Sequence, residues 1–431
     1  MWAEPENLNY TSIEKIESFQ NTALQKHLAY ISNNSTFYKS LFAKNEIDPT
    51  AITRVDQIRE LPLTTKEDLE GHNEDFLCVS KREIIEFVTT SGTLSNPIII
   101  ALTKGDLDRL AYNEKRSLEM AGIGPDDIIQ ITTTLDKMFM AGMAYYLGAI
   151  AIGATVVRSG IGNPRVQWEN ILRFKPTISI TVPSFLNKLA GYGLQINMNP
   201  NHTSLKKAIC IGEPLRNSDF SPNKLHQNIS KNWDIQLFST YASTEMMTAF
   251  TECEAKCGGH QLAELIIVEI LDDEGNQVAD GELGEVTVTP LMVEAMPLLR
   301  YKTGDLARAH TTKCSCGRTT LRIGPVEGRK KYMIKLKGTT IFPQAIENVL
   351  QSYQEIELHI IELENSTIDT DLVRLYLVDS ISDDLYEKIK LHLKEKLRVS
   401  IDILRIPENE LITMLFPLGS RKPLKIIDNR K

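Results

Sequence analysis

The chain has 431 residues, 48 Lys and Arg against 56 Asp and Glu, and a formal net charge of −8. That length exceeds one compact core of roughly 100–200 residues and predicts at least two domains, and a 42% hydrophobic content argues against global disorder. The acidic balance argues against a protein whose main task is gripping nucleic-acid phosphates, so no nucleic-acid partner is expected.

The N-terminal stretch MWAEPENLNYTS has neither a basic nor an apolar region, so no secretory signal is expected there. From Ser12 to Phe42, apolar residues at helical spacing (Ile13, Ile16, Phe19, Leu24, Leu28, Ile31) predict opening helices. Short segments punctuated by Pro62 follow. From Glu83 to about Pro290, apolar runs such as Ile84–Thr89, Ile128–Thr133, Thr177–Thr181, Ala208–Ile211 and Gln236–Phe238 alternate with amphipathic stretches, the pattern of an α/β region with covered sheets. Within it, Met138–Val157 carries no charge over 20 residues, about the length of a bilayer helix. Three glycines and a strand-like end favour a buried helix running into a buried strand, so a soluble, cytoplasmic protein without a membrane span is expected. Between Ala263 and Val288 the runs Leu265–Leu271 and Glu285–Val288, separated by Asp-Glu-Gly and Asp-Gly, predict antiparallel hairpins. A boundary falls near Gly328-Arg329-Lys330-Lys331. The following 100 residues or so read as an α+β unit, with helices over Pro343–Tyr353 and Asp384–Leu397 and strands over Leu358–Leu363 and Val373–Val378.

Three segments could carry chemistry. Thr89-Thr90-Ser91-Gly92-Thr93-Leu94-Ser95-Asn96-Pro97 lies between two strand-like runs, where hydroxyls and a glycine can turn donors toward an anion; a plain polar loop fits as well. Tyr241-Ala242-Ser243-Thr244-Glu245 offers a ring to stack on, hydroxyl donors and a carboxylate for Mg²⁺, or else a helix start capped by Ser243 or Thr244. Arg300-Tyr301-Lys302-Thr303-Gly304-Asp305-Leu306 sets a carboxylate where it can accept from a ribose diol, or where it merely caps a turn.

In this order and spacing the three segments resemble the adenylate-forming acyl-CoA synthetase superfamily, in particular its phenylacetate-CoA ligase branch. Further segments share the resemblance: Phe37-Tyr38, Leu61–Leu69, Thr181-Val182-Pro183-Ser184-Phe185, Gly212-Glu213-Pro214, Gly328-Arg329 with Gly338 and Phe342–Glu347, and Lys422–Asp428. The resemblance implies an α/β (α+β multidomain) architecture. Residues 1–328 would form a large AMP-binding domain with covered sheets and a barrel-like part, and residues 329–431 a small mobile C-terminal lid. It implies ATP, Mg²⁺ and coenzyme A as cofactor and co-substrates. A carboxylic acid, aryl or related, would be activated as an acyl-AMP and passed to the CoA thiol. Loading of a carrier-protein thiol, or ligand binding without catalysis, are the alternatives, and a homodimer is left open.

Carried over residue by residue, the resemblance implies that Ser91, Gly92 and Thr93 hold the ATP phosphates. Gly212, Glu213 and Pro214 would line the adenine with Tyr241, Ala242 and Ser243, Thr244 would contact the α-phosphate, and Glu245 would hold Mg²⁺. Asp305 would bind the ribose with help from Arg329, Lys331 would act as the hinge before Gly338, and Lys422 would stabilise charge at the α-phosphate. Ser95-Asn96-Pro97 replaces the family's Gly-Lys-Pro, Ala242 a glycine, and Lys330-Lys331 an acidic pair. Met138–Gly142, near the expected acyl pocket, also departs from the branch.

Six cysteines are too few for a disulfide scaffold. Cys253-x₃-Cys257-x₂-His260 and Cys314-x-Cys316 each bring thiolates together on a turn, and two such pairs can close a tetrahedral metal site. The resemblance favours Cys253, His260, Cys314 and Cys316 as ligands of a structural Zn²⁺, with Cys257 as a substitute for His260; ordinary reduced thiols are the alternative. No Cys-His-acid arrangement for a nucleophile is apparent.

Overall fold

The computed structural model describes residues 3–90, 98–336, 339–353, 355–365, 371–417 and 423–430. Ser91, Gly92, Thr93, Gly338 and Lys422 lie outside the described residues. Chain contacts divide these residues into two compact units, one made of 3–90, 98–303 and 307–326 and the other of 304–306 and 327–430.

The first unit opens with the helix Ile13–Asn34, where the Ser12 hydroxyl accepts from the backbone N–H of Lys15. Its buried stripe is Gln20, Leu24, His27, Leu28 and Ile31, at the three- and four-residue spacing of one helical face. Ile13, expected on that face, is instead 57% exposed, because the buried stripe begins about two turns later, at Gln20. A second helix, Thr36–Lys44, buries Tyr38 and Phe42. The run Ile84–Thr89 does not join the large sheet. It pairs antiparallel with Ile99–Thr103 in a separate two-stranded ribbon.

The main sheet has a parallel half in which Thr155–Arg158, Ile128–Ile131, Ile178–Thr181, Lys207–Cys210 and Gln236–Ser243 lie side by side. Helices Met140–Ile152, Pro164–Phe174, Pro183–Gln195 and Lys224–Asn232 alternate with these strands. From Gln236–Ser243 the sheet continues antiparallel through Thr248–Glu252, Gly259–His260, Arg322–Ile323, Tyr301–His310, Leu283–Pro290 and Ile266–Leu271. The hairpin expected from the Asp-Gly punctuation is the pair Ile266–Leu271 and Leu283–Pro290. This antiparallel part continues the same open path of strands.

The uncharged stretch at 138–157 resolves into the helix Met140–Ile152, ended by Gly153 at φ 87°, and the strand Thr155–Arg158. A Cβ at Gly148 would lie 2.3 Å from the Cβ of Glu114, so the glycine is what lets this helix approach Lys104–Met120. Among the described residues, no helix is long and apolar enough to cross a membrane.

In the second unit, four strands run in the order Asp402–Ile406, Asp371–Val378, His359–Asn365, Ile426–Asp428. Helices Pro343–Leu350 and Asp383–Leu397 supply Ile346, Val349, Leu350, Ile389 and Leu393 to a core shared with Ile361, Leu363, Leu375 and Leu377. The helix Glu408–Leu415 buries Leu411 and Leu415 in a separate small cluster with Ile360, and the short strands Ile334–Leu336 and Thr339–Ile341 pair antiparallel.

Candidate active site and metal centre

Three neighbouring parallel strands deliver the family-like segments to one edge of the sheet. Ile178–Thr181 runs into Val182-Pro183-Ser184, Lys207–Cys210 into Ile211–Pro214, and Gln236–Ser243 into Thr244-Glu245. The carboxyl ends of parallel strands are where ligands bind in such sheets, because the chain leaves each strand there as an adaptable loop. Gly212 adopts φ 78° and faces open space where a side chain would stand, so its backbone conformation, and not crowding, requires glycine. The Glu213 carboxylate accepts from the Ser184 N–H at 2.8 Å and from its hydroxyl at 2.9 Å, joining two of the loops. That contact also satisfies an otherwise unpaired donor at the start of helix Pro183–Gln195.

Tyr241, Ala242 and Ser243 are the last residues of their strand, which overturns the reading of Ser243 or Thr244 as a helix cap. Tyr241 faces Phe250 across the antiparallel pair, their rings stacked with centroids 5.9 Å apart. The Ser243 hydroxyl accepts from the Met246 N–H at 3.3 Å and so folds the turn that carries Thr244 and Glu245. Glu245 accepts from the Tyr301 hydroxyl at 3.4 Å, which brings the second and third chemistry-bearing segments together.

The third segment is a strand, not a turn. Within Tyr301–His310, Gly304 takes φ 75°, and Asp305 pairs with Arg329 in register. The buried Asp305 carboxylate accepts from Arg329 Nε at 2.9 Å, while the Arg329 side chain is largely exposed. Arg300, at the head of the segment, is taken up by the core: its buried guanidinium grips both oxygens of Glu269 at 3.0 and 2.8 Å and donates to the Leu61 carbonyl at 2.6 Å. Lys331 sits in the short turn Lys330–Tyr332 with its side chain exposed.

Several supporting groups are given no role by the sequence. The Tyr38 hydroxyl accepts from the Leu299 N–H at 2.8 Å, and Thr64 bonds Arg300 and Lys302 through its backbone, so both opening segments brace the strand that leads to Asp305. Fully buried Arg109 donates to the carbonyls of Leu291, Met247 and Leu265 and to the Thr248 hydroxyl, fixing the chain just after Glu245. Lys137 and Met138, both at φ 57°, form a strained entry to helix Met140–Ile152. No local pattern could have marked Arg109, since its carbonyl acceptors lie 138 to 182 residues away along the chain.

The ligating atoms of Cys253, His260, Cys314 and Cys316 all lie within 4.8 Å of one another. Tetrahedral zinc with Zn–S of about 2.3 Å and Zn–N of about 2.05 Å requires S···S edges near ~3.8 Å and S···N edges near ~3.6 Å. Cys253 Sγ and Cys314 Sγ are 3.7 Å apart, and Cys316 Sγ and His260 Nε2 are 3.5 Å apart, so the donor set fits. Cys257 is not part of the group; its thiol lies 3.0 Å from the Ala255 carbonyl and its own carbonyl accepts from Arg322. Burial, reinforced by Arg318 and Arg322, holds the His260 imidazole neutral down to about 3. Thr320 Oγ1 lies 3.4 Å from Nδ1, so a proton there leaves the Nε2 lone pair directed at the cluster. Three thiolates around one Zn²⁺ leave a net charge of −1, which Arg318, 3.4 Å from Cys316 Sγ, is placed to offset.

The family described as AMP-binding enzyme matches residues 26–293, more than half of the chain. The chain belongs to the AMP-binding enzyme family. Its relatives in this family include phenylacetate-coenzyme A ligase of Thermus thermophilus, 29% identical over 80% of this chain and 77% of that protein. The Escherichia coli enzyme of the same name is 27% identical over 81% and 79%. A crystal structure of 2-hydroxyisobutyryl-CoA ligase in the postadenylation state superposes with a TM-score of 0.83 at 21% identity, over 98% of this chain and 91% of that one, and shares the fold of this AMP-binding enzyme.

Proposed function

We propose that this protein is an ATP-dependent acid–CoA ligase that acts through an acyl-adenylate, on an aryl or related carboxylic acid. The observation that carries the reading is the gathering of Ser184, Gly212–Pro214 and Tyr241–Glu245 at the carboxyl ends of adjacent parallel strands in an AMP-binding enzyme. The substrate class rests on the phenylacetate-CoA ligases among its relatives.

In the first step a carboxylate oxygen attacks the α-phosphorus of ATP, the bond to the bridging oxygen breaks, and pyrophosphate leaves. In the second the CoA sulfur attacks the acyl carbon and AMP departs with the electron pair of the broken bond. Such steps need positioning and charge neutralisation more than covalent participation by the protein. In this reading Tyr241 and the Gly212–Pro214 loop hold the adenine with Ala242 and Ser243, Thr244 contacts the α-phosphate, and Glu245, oriented by Tyr301, is the carboxylate that would hold Mg²⁺. Asp305 accepts the ribose hydroxyls and is itself held by Arg329. Ser91, Gly92 and Thr93 bind the phosphates and Lys422 the developing negative charge. Residues 329–431 act as the lid that pivots at Lys331 between the two steps. Zn²⁺ held by Cys253, His260, Cys314 and Cys316 would be structural, since four protein ligands leave no open position.

The test is incubation with ATP, Mg²⁺ and a panel of aryl and short-chain acids, following pyrophosphate release and then CoA thioester. Pyrophosphate and thioester with at least one aryl acid is the expected result. Pyrophosphate without thioester would favour a carrier-protein acceptor, and neither product with any acid would overturn the reading.

A further inference from the structure

Arg430 lies near the end of the chain, beyond every segment that the family resemblance uses. Its guanidinium is only 13% exposed and saturated with acceptors. It donates to the Lys331 carbonyl at 2.6 Å and to the Met333 carbonyl at 2.6 Å. It also engages both oxygens of Asp428, at 2.9 Å each, and Asp371 at 3.1 Å. Asp428 ends the strand Ile426–Asp428, which lies parallel to His359–Asn365 in the sheet of the second unit. Asp371 opens the neighbouring strand Asp371–Val378 and also accepts from the Lys335 N–H at 2.6 Å. One side chain therefore ties two peptide planes just after Lys331 to two strands of the sheet.

The geometry has a consequence for rotation. The Lys331 carbonyl belongs to the peptide plane joining residues 331 and 332, and the Met333 carbonyl to the plane joining 333 and 334. With both planes fixed to the sheet by a planar, multiply bonded guanidinium, torsional change can occur only at Lys331 itself or before it. An ammonium, as a compact point charge, could keep an ion pair with the aspartates but could not span both carbonyls and both carboxylates in one plane.

We propose that Arg430 is a positioning residue for ligation: it confines the pivot to Lys331 and makes the strand after Lys422 turn with it as one body. The inference rests on the reading of Lys331 as the pivot given above. A loosened pivot spreads the lid over orientations that complete neither half-reaction, so the loss falls on turnover and not on ATP affinity.

Three variants of the full chain separate the possibilities: Arg430→Gln, Arg430→Lys and Lys331→Pro. Adenylation is followed by ATP–pyrophosphate exchange, thioester formation from supplied acyl-AMP, and the pivot by native-state trypsin cleavage after Lys330 and Lys331. Lys331→Pro is expected to keep adenylation and lose thioester formation, because proline fixes the torsion that must change. Arg430→Gln is expected to lower kcat of both half-reactions by about tenfold with the ATP KM changed less than about threefold, and to speed cleavage at the pivot by about tenfold. Arg430→Lys, which retains charge beside Asp371 and Asp428, should show the same pattern, and it replaces Arg430→Gln if that variant does not fold. Wild-type kinetics and cleavage in a folded Arg430 variant, with Lys331→Pro behaving as expected, would overturn the role of Arg430 alone. Thioester formation undiminished in Lys331→Pro would overturn the pivot reading, and this inference with it.

Discussion

Removing one thiolate from the four-residue cluster should unload the metal and soften the first unit before it affects chemistry. The perturbation is Cys314→Ser, at a side chain that is 5% exposed and 3.7 Å from Cys253 Sγ. Without a metal, burial raises the Cys253 thiol to about 12, so that side chain is left as a buried neutral thiol. If free zinc exceeds its dissociation constant about a thousandfold, binding adds about 4 kcal/mol to stability. An unfolding entropy of about 2.1 cal/mol/K per residue over the roughly 320 residues of the first unit gives about 0.7 kcal/mol/K, so complete loss of zinc should lower the melting temperature by about 6 °C. The assay is elemental analysis of protein purified without chelator, paired with melting curves before and after chelation. About one Zn²⁺ per chain is expected in the parent and far less in Cys314→Ser, with chelation shifting only the parent. A parent protein without zinc, or one that melts at the same temperature after chelation, would refute the structural site. Rapid, reversible loss of activity at an unchanged melting temperature would mean that the metal takes part in the reaction.

Three further outcomes follow from single side chains. Lys422→Ala should cut adenylation by about a hundredfold or more while thioester formation from supplied acyl-AMP stays near the parent rate; equal loss in both would remove Lys422 from the first step. Burial raises the Glu114 carboxyl from 4.5 to about 8; one oxygen accepts from Asn113 at 3.0 Å and the other has no hydrogen-bond partner among the described residues. The folded state therefore holds a proton that the unfolded chain releases, so this stability is fullest below about 4.5 and is lost as pH rises toward about 8. Glu114→Gln should flatten that slope, and melting curves between about pH 5 and pH 8 that parallel the parent would count against it. Tyr38→Phe should cost about 1–3 kcal/mol by leaving the Leu299 N–H unpaired in the core, read as a lower denaturant midpoint at unchanged m.

Much of the site can be read from the letters because its parts are contiguous. Tyr241–Glu245 and Gly212–Pro214 each fit within a few residues, and strand alternation predicts where each emerges. The cysteine cluster is legible as two turns, and in the structure His260 lies with Cys253, Cys314 and Cys316 while the Cys257 thiol is in contact with the Ala255 carbonyl. Local pattern fails where long-range pairing decides conformation. Ser243 or Thr244 could have capped a helix, yet Tyr241–Ser243 extend a strand because Thr248–Glu252 pairs with them. Thr303-Gly304-Asp305 reads as a turn, yet Asp305 is held extended by pairing with Arg329. Ile84–Thr89 has the composition of a central strand, but its partner, Ile99–Thr103, gives it a separate ribbon. Arg300 falls in a segment singled out for chemistry, yet its guanidinium is taken up by buried Glu269, and nothing in the predicted strand Leu265–Leu271 marks Glu269 as its partner.

The bond between Tyr38 and Leu299 also sets an order of events during synthesis. The two residues are 261 positions apart, and Leu24, Leu28, Ile31 and Phe42 share their core with Val286, Leu298 and Tyr301. At about 5–20 residues per second, the ribosome delivers the later group roughly 13–52 s after the earlier one. Throughout that interval the opening helices have Ile52, Ile58, Leu61, Leu69 and Phe76 to pack against but lack the later part of their core. Nascent chains stalled before residue 299 should therefore recruit holdase chaperones to residues 13–44, and release of the chain past residue 310 should end that association.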